Sequence, residues 1–152
     1  MEAKKELKVS AIKEGTVIDH IPSENLFKVI SILGLDETSH QVTFGSNLES
    51  KRLGKKAIIK VAGIFFKDEE INKIALVAPE AKLNVIEDYQ VVEKKLVTVP
   101  DHIYSIAKCM NPKCITNHEE METSFDVEAK KPVELKCVYC EKITDSKHLE
   151  IL

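Results

Sequence analysis

Four cysteines carry the most specific chemistry in this sequence. Cys109 and Cys114 form a C-x4-C pair, Cys137 and Cys140 a C-x2-C pair, and 22 residues separate the two. Each pair makes a tight turn that aims two sulfurs at one point, and the intervening segment returns the second turn to the first. A tetrahedral four-thiolate zinc site needs that arrangement. Asn111-Pro112 lies inside the first pair, where proline fixes φ at the reversal. Paired disulfides are disfavoured, because the charged N-terminal stretch has no apolar region of a secretory signal and a reducing cytosol is the expected setting. A redox role for Cys137-x2-Cys140 needs thioredoxin-like βαβ surroundings, and the pattern around it has none. Four thiolates close the metal's shell, leave no vacancy for His118 and keep no position open for substrate. The expected ion is therefore structural zinc, one per chain. A segment of about 50 residues buries little core of its own, whereas structural zinc contributes roughly 10–16 kcal/mol in small peptides.

Charge narrows the partner of this segment. Residues 101–152 hold seven lysines, no arginine and ten acidic residues, whereas residues 1–100 balance fifteen basic against fifteen acidic ones. Four thiolates around one zinc add a further charge of about −2. Phosphate backbones are bound by clustered Lys and Arg, so a protein partner is expected and nucleic acid is not. No apolar run reaches the roughly 18 to 20 residues of a membrane helix.

The first hundred residues must supply the remaining elements. Leu7, Val9 and Ala11 alternate with polar residues as a half-buried strand would, and Thr16 to Pro22 reads as extended. Ser23 is a candidate N-cap for a helix carrying Leu26, Phe27, Ile30 and Leu33, closed by Gly34. Residues 41–48 and 57–62 read as strands joined by a basic loop. Asp68 is placed to cap a second helix with Ile71, Ile74, Ala75 and Ala78, stopped by Pro79. Residues 82–87 and 89–95 are the last strands. The order β-α-β-β-α-β with an extra strand predicts an α+β, ferredoxin-like domain, an antiparallel sheet with two helices on one face, over residues 1–99. A small β-rich, zinc-ribbon-like domain follows over 100–152. Lys51, Arg52, Lys55, Lys56 and Lys60, with Lys94 and Lys95, read as either a solvated face or an anion site. This half has no Walker loop, no GxGxxG and no Ser/His/Asp spacing.

The residues also carry a resemblance. The run from Ala11 through Gly15-Thr-Val-Ile-Asp-His-Ile-Pro22, then Gly45-x-Asn47-Leu48, Ile59-Lys60, Ala78-Pro79-x-Ala81, Asn84-x-Ile86 and Tyr89-x-Val91, followed by the two cysteine pairs and Glu141-Lys142, resembles the aspartate carbamoyltransferase regulatory chain family over essentially the whole length. The resemblance implies a non-catalytic cytoplasmic subunit of de novo pyrimidine biosynthesis. In it CTP inhibits and ATP activates at one site on the N-terminal domain, with UTP a further candidate, and the effect passes to a separate catalytic chain. It further implies that the zinc domain grips the catalytic chain and that N-terminal domains pair into homodimers. Position by position, the implied nucleotide site is Ala11, Ile12, Asp19, His20, Lys60, Asn84, Ile86, Tyr89, Val91 and Lys94. Lys60 and Lys94 face phosphates, Ile12 and Ile86 sandwich the base, backbone groups near Ile12, Ile86 and Tyr89 read its edge, Asp19 takes ribose hydroxyls and His20 donates to phosphate or ribose. Lys56 is placed to reach a second nucleotide or its metal. Ser10 and Arg52 depart from the carboxylates familiar at those positions. The rival readings are an RNA-recognition-like protein, which calls for exposed sheet aromatics and a basic ribbon, and a small enzyme, for which no nucleophile or acid–base pair is visible.

Overall fold

The computed structural model describes residues 11–51 and 53–152, so the strand expected around Leu7 and Val9, with Ser10 and Arg52, lies outside the described residues. The chain divides into two units, Met1–Thr98 and Val99–Leu152.

The first unit is a five-stranded sheet. Its strands are β1 (Gly15–Pro22), β2 (Val42–Ser50), β3 (Gly54–Ala62), β4 (Lys82–Glu87) and β5 (Gln90–Leu96), in spatial order β2-β3-β1-β4-β5. Every described pairing is antiparallel. Strands β1 and β2 run the same way with β3 inserted between them, which is the split βαβ arrangement, and β5 is the extra strand at the edge. Helices α1 (Leu26–Ile32) and α2 (Asp68–Asn72) supply the crossovers, and α2 runs on into a 3-10 turn at Lys73–Leu76. Ile18, Ile59, Val61 and Leu83 are fully buried on one sheet face, together with the helical Leu26, Val29, Ile74 and Ala75. Alternation puts Asp19, Ile58, Lys60 and Asn84 on the opposite face, where they are only half-buried.

Element ends are set by local hydrogen bonding. Helix α1 closes as expected at Gly34, whose φ is +70°. Leu35 N–H reaches the Ile30 carbonyl at 2.9 Å and Gly34 N–H the Ser31 carbonyl at 3.0 Å, the paired bonds of a Schellman motif. Ser23 does not cap this helix. A 3-10 turn at Ser23–Asn25 intervenes, and the Ser23 hydroxyl accepts from Asn47 N–H at 3.0 Å, tying the turn to β2. In α2 the cap is Lys67, one residue before Asp68. The Glu70 carboxylate reaches back to Lys67 N–H at 3.1 Å, and three acidic residues in the first turn match the helix dipole.

The second unit is β-rich. Strands β6 (His102–Tyr104), β7 (Ala107–Lys108), β8 (Ser124–Lys130), β9 (Val133–Cys137), β10 (Ile143–Asp145) and β11 (Glu150–Ile151) form a four-stranded sheet, β10-β9-β8-β6, and a two-stranded one, β11-β7. Its core is small: Ile103, Ala107, Phe125 and Leu135 are almost fully buried, alongside three of the cysteines.

Candidate functional site

Strand β7 delivers Cys109 directly into a turn. Cys114 N–H bonds the Asn111 carbonyl at 3.0 Å, and the Asn111 side-chain oxygen accepts from Lys113 N–H at 3.1 Å. The Asn117 amide then donates to the Cys109 carbonyl at 3.1 Å and the Asn111 carbonyl at 2.8 Å, clamping the turn from outside. Cys137 ends β9. Its N–H bonds the Lys142 carbonyl and its carbonyl accepts from Glu141 N–H, so residues 137–142 close a tight reversal around Cys140, with Glu141 at φ +62°.

The two turns meet. All four sulfurs lie within 4.8 Å of one another, with Cys109–Cys140 at 3.6 Å and Cys114–Cys137 at 3.7 Å. These separations are far too long for S–S bonds of about 2.05 Å. They match the edge of a tetrahedron with Zn–S bonds of about 2.3 Å, which is roughly 3.8 Å. Burial pushes the Cys109 and Cys137 thiols well above their ordinary range, against N–H donation from Asn111 to one and from Cys140 and Tyr139 to the other. Burial also raises Cys140, but donors outweigh it: the Asn111 side chain, Lys142 N–H and the neighbouring thiols bring it down to about 7. Buried sulfurs with N–H groups aimed at them are a donor set ready to exchange protons for a metal ion. His118 is exposed and outside the cluster.

The residues expected at a nucleotide site gather on the sheet face away from the helices. Register puts Thr43, Lys60, Val17, Asn84 and Lys94 in one row across β2, β3, β1, β4 and β5. The next row toward the β4–β5 turn holds Ala62, Gly15, Ile86 and Val91. Ile86 is buried and Val91 half exposed. Asp88 and Tyr89 form a two-residue hairpin turn, both at positive φ, so Tyr89 belongs to the turn rather than to the strand expected to begin there. Its N–H is committed to the Lys13 carbonyl at 2.8 Å and its ring is exposed. Beside it opens a cavity of about 480 Å3 lined by Ala11, Ile12, Tyr89, His40, Thr43 and Gly63 among others. His40, Gln41, Thr43 and Gly63 carry no local motif; they line the cavity where β2 and β3 meet, Val42 opposite Val61 and the Gln41 carbonyl accepting from Ala62 N–H at 3.0 Å.

Asp19 and His20 sit at a β-bulge. Between Ile18 and Ile21 strand β1 spends three residue steps where β3 spends two, from Ile59 to Ala57, and His20 takes φ +61°. Both isoleucines thereby stay in the core, fully buried. Asp19 accepts from His20 N–H at 2.6 Å and pairs with Lys56, whose Nζ lies 3.0 Å from Oδ1 and 3.3 Å from Oδ2. Lys56, expected to reach a second ligand, is engaged with Asp19. The second unit holds an Asp–His–Ser chain that spacing did not reveal. His102 Nδ1 is 2.7 Å from Asp126 and Nε2 2.8 Å from Ser124, because His102 faces Asp126 across the β6–β8 ladder. The chain laces β6 to β8, and its serine is buried.

These features define a two-domain α+β chain whose C-terminal unit is a metal-binding module. Residues 7–98 match the family described as aspartate carbamoyltransferase regulatory chain, allosteric domain, and residues 101–150 match the metal binding domain of the same chain. The sequence is 60% identical to the aspartate carbamoyltransferase regulatory chain of Bacteroides fragilis over 93% of this chain and 92% of the relative. It is 56% identical to that of Bacteroides thetaiotaomicron over 99% of each, and 53% identical to that of Pyrococcus horikoshii over 95% and 96%. The chain belongs to the aspartate carbamoyltransferase regulatory chain family: it is a regulatory, non-catalytic subunit with an allosteric and a metal-binding domain, and its partner is the catalytic chain. Among the described residues no helix is long and apolar enough to cross a membrane.

Proposed function

We propose that the open sheet face of the first unit binds CTP as inhibitor and ATP as activator of de novo pyrimidine synthesis. The observation that carries this reading is the row Lys60–Asn84–Lys94, with Ile86 and Val91 in the row beside it and the Tyr89 cavity beyond. The backbones of Lys60 and Lys94 are three strand spacings apart, roughly 14 Å, a span suited to a ribose triphosphate. Two ammonium groups neutralise phosphate as adaptable point charges, and the apolar end of the face takes the base.

Zinc is the ion that the sulfur geometry favours, held by Cys109, Cys114, Cys137 and Cys140. Its work is structural: it fixes the two cysteine turns that this small core does not fix alone, and with them the surface for the catalytic chain. The cytoplasm, where thiols stay reduced, is the fitting compartment. A homodimer through the first unit is supported by strand β2. Among the described residues it is a sheet edge, and it carries Phe44, packed edge-to-face on Phe27 with centroids 5.8 Å apart and both rings exposed. The opposite edge, β5, carries Glu93, Lys94 and Lys95, charges that discourage pairing.

Calorimetric titration of CTP into the full chain and into its Lys60→Ala and Lys94→Ala variants tests the nucleotide reading. Each variant should bind at least about 10-fold more weakly, as loss of a charged contact costs about 1.5–3 kcal/mol. Unchanged affinity in both variants refutes the site.

A further inference from the structure

The two cysteine turns are unequally supported. Cys137 ends β9, which lies inside the four-stranded sheet with β8 on one side and β10 on the other. Cys109 follows β7, which among the described residues pairs with β11 alone, Ala107 opposite Ile151 and Lys108 opposite Glu150. Leu152 N–H, bonded to the Ile106 carbonyl at 2.8 Å, extends that ladder by one step. Away from it, Thr123 Oγ1 donates to the Ala107 carbonyl at 2.6 Å.

Residues 144–152 close around this less supported turn from both sides. Thr144, fully buried on β10, accepts from Met110 N–H at 3.2 Å. Further along, Glu150 faces Lys108 across the ladder, its carboxylate 4.0 Å from Nζ. The residues immediately before and after Cys109 are thus both held by one segment. Asp145 folds that segment back on itself: one carboxylate oxygen accepts from His148 N–H at 2.9 Å and lies 2.7 Å from His148 Nδ1.

The holds on β7 lie at the surface, since Lys108, His148 and Glu150 are exposed, whereas Cys109 is almost fully buried. A short exposed ladder opens at lower free energy than a strand paired on both sides. A four-thiolate shell has no open position, so a metal leaves it only after one sulfur swings away. Cys109 is the sulfur at the end of the less supported strand.

We propose that residues 145–152, rooted at Thr144, form a strap that keeps Cys109 in the sulfur cluster and sets how fast the metal is released. The inference rests on the reading of the four sulfurs as a zinc site. When the strap opens, β7 is let go while β8 and β9 stay paired, so metal exchange does not require the whole unit to unfold.

The test follows zinc transfer from the full zinc-loaded chain to an excess of a chromogenic chelator, with amide hydrogen exchange on the same samples. Asp145→Ala opens the turn and should speed transfer about 3- to 10-fold, the effect of one lost net hydrogen bond. Glu150→Lys sets like charges opposite each other and should speed it about 1.5- to 5-fold. Deleting residues 149–152 removes the ladder and should speed it at least about 10-fold. In each case the amides of residues 106–108 should lose protection while those of 133–137 keep it. Transfer at the wild-type rate in both point variants overturns the inference, whether or not the deleted chain folds. Equal loss of protection in 133–137 also overturns it, because release would then follow unfolding of the whole unit. If metal analysis finds no zinc in the wild-type chain, the zinc reading fails and takes the strap with it.

Discussion

Asn117 illustrates how single side chains hold the metal module. Its amide donates to two carbonyls of the first cysteine turn, at Cys109 and Asn111, while Asn111 in turn supplies donors to Cys109 and Cys140. Replacing Asn117 with Ala leaves both carbonyls without that partner and loosens the turn that aims Cys109 and Cys114. Thermal unfolding should show a loss of about 1–3 kcal/mol, and zinc transfer to a chelator should be about 10- to 100-fold easier, as for other outer-sphere changes at metal sites. The cysteines themselves were fully legible in the sequence, because spacing alone dictates two turns facing each other. Asn117 was not, since an asparagine three residues past a cysteine has no signature until the turn exists. The same holds for His40, which precedes β2 and lines the cavity with its ring against the Ala62 carbonyl.

Elements were legible wherever burial follows a period. Ile71, Ile74, Ala75 and Ala78 are all buried as helical spacing requires, although the helix tightens into a 3-10 turn after Asn72. The five strands of the first unit lie close to where alternation places them, although β3 begins at Gly54, inside the expected loop, and β5 begins only after Tyr89. Two irregularities escaped, because neither carries the glycine that usually marks one. The bulge at His20 has no glycine, and the Asp88–Tyr89 turn puts a tyrosine at φ +65° where Asn-Gly is the familiar signal. A second bulge, in β2 between Gly45 and Leu48, places Asn47 at φ +58° with its N–H on Ser23. Gly15, by contrast, is irreplaceable in this sheet. Its φ is +138°, and a Cβ there would lie 2.0 Å from the Val61 carbonyl oxygen. Gly15→Ala must therefore push β1 off β3, and denaturant unfolding of the first unit should show a loss of at least ~2 kcal/mol, within the range of strained backbone positions.

At the scale of the whole molecule, two compact units divide the work of a regulatory chain. One carries a sheet face with Lys60 and Lys94 in one row, the other a four-sulfur cluster in a small core. If β2 is the edge through which two copies meet, Phe44→Lys should shift the chain from dimer to monomer in sedimentation at micromolar concentration, while leaving its circular dichroism unchanged. A persistent dimer would place the contact elsewhere. The measurement closest to the central claim is assembly with an aspartate carbamoyltransferase catalytic chain, followed by activity with and without CTP. With zinc bound, the two chains should associate, and CTP should then alter the activity of the complex. After metal removal by a chelator, association and the CTP response should both vanish. Failure of zinc-loaded chain to associate, or a CTP response that survives complete loss of the metal, would contradict a regulatory subunit coupled to its enzyme through a metal-held surface.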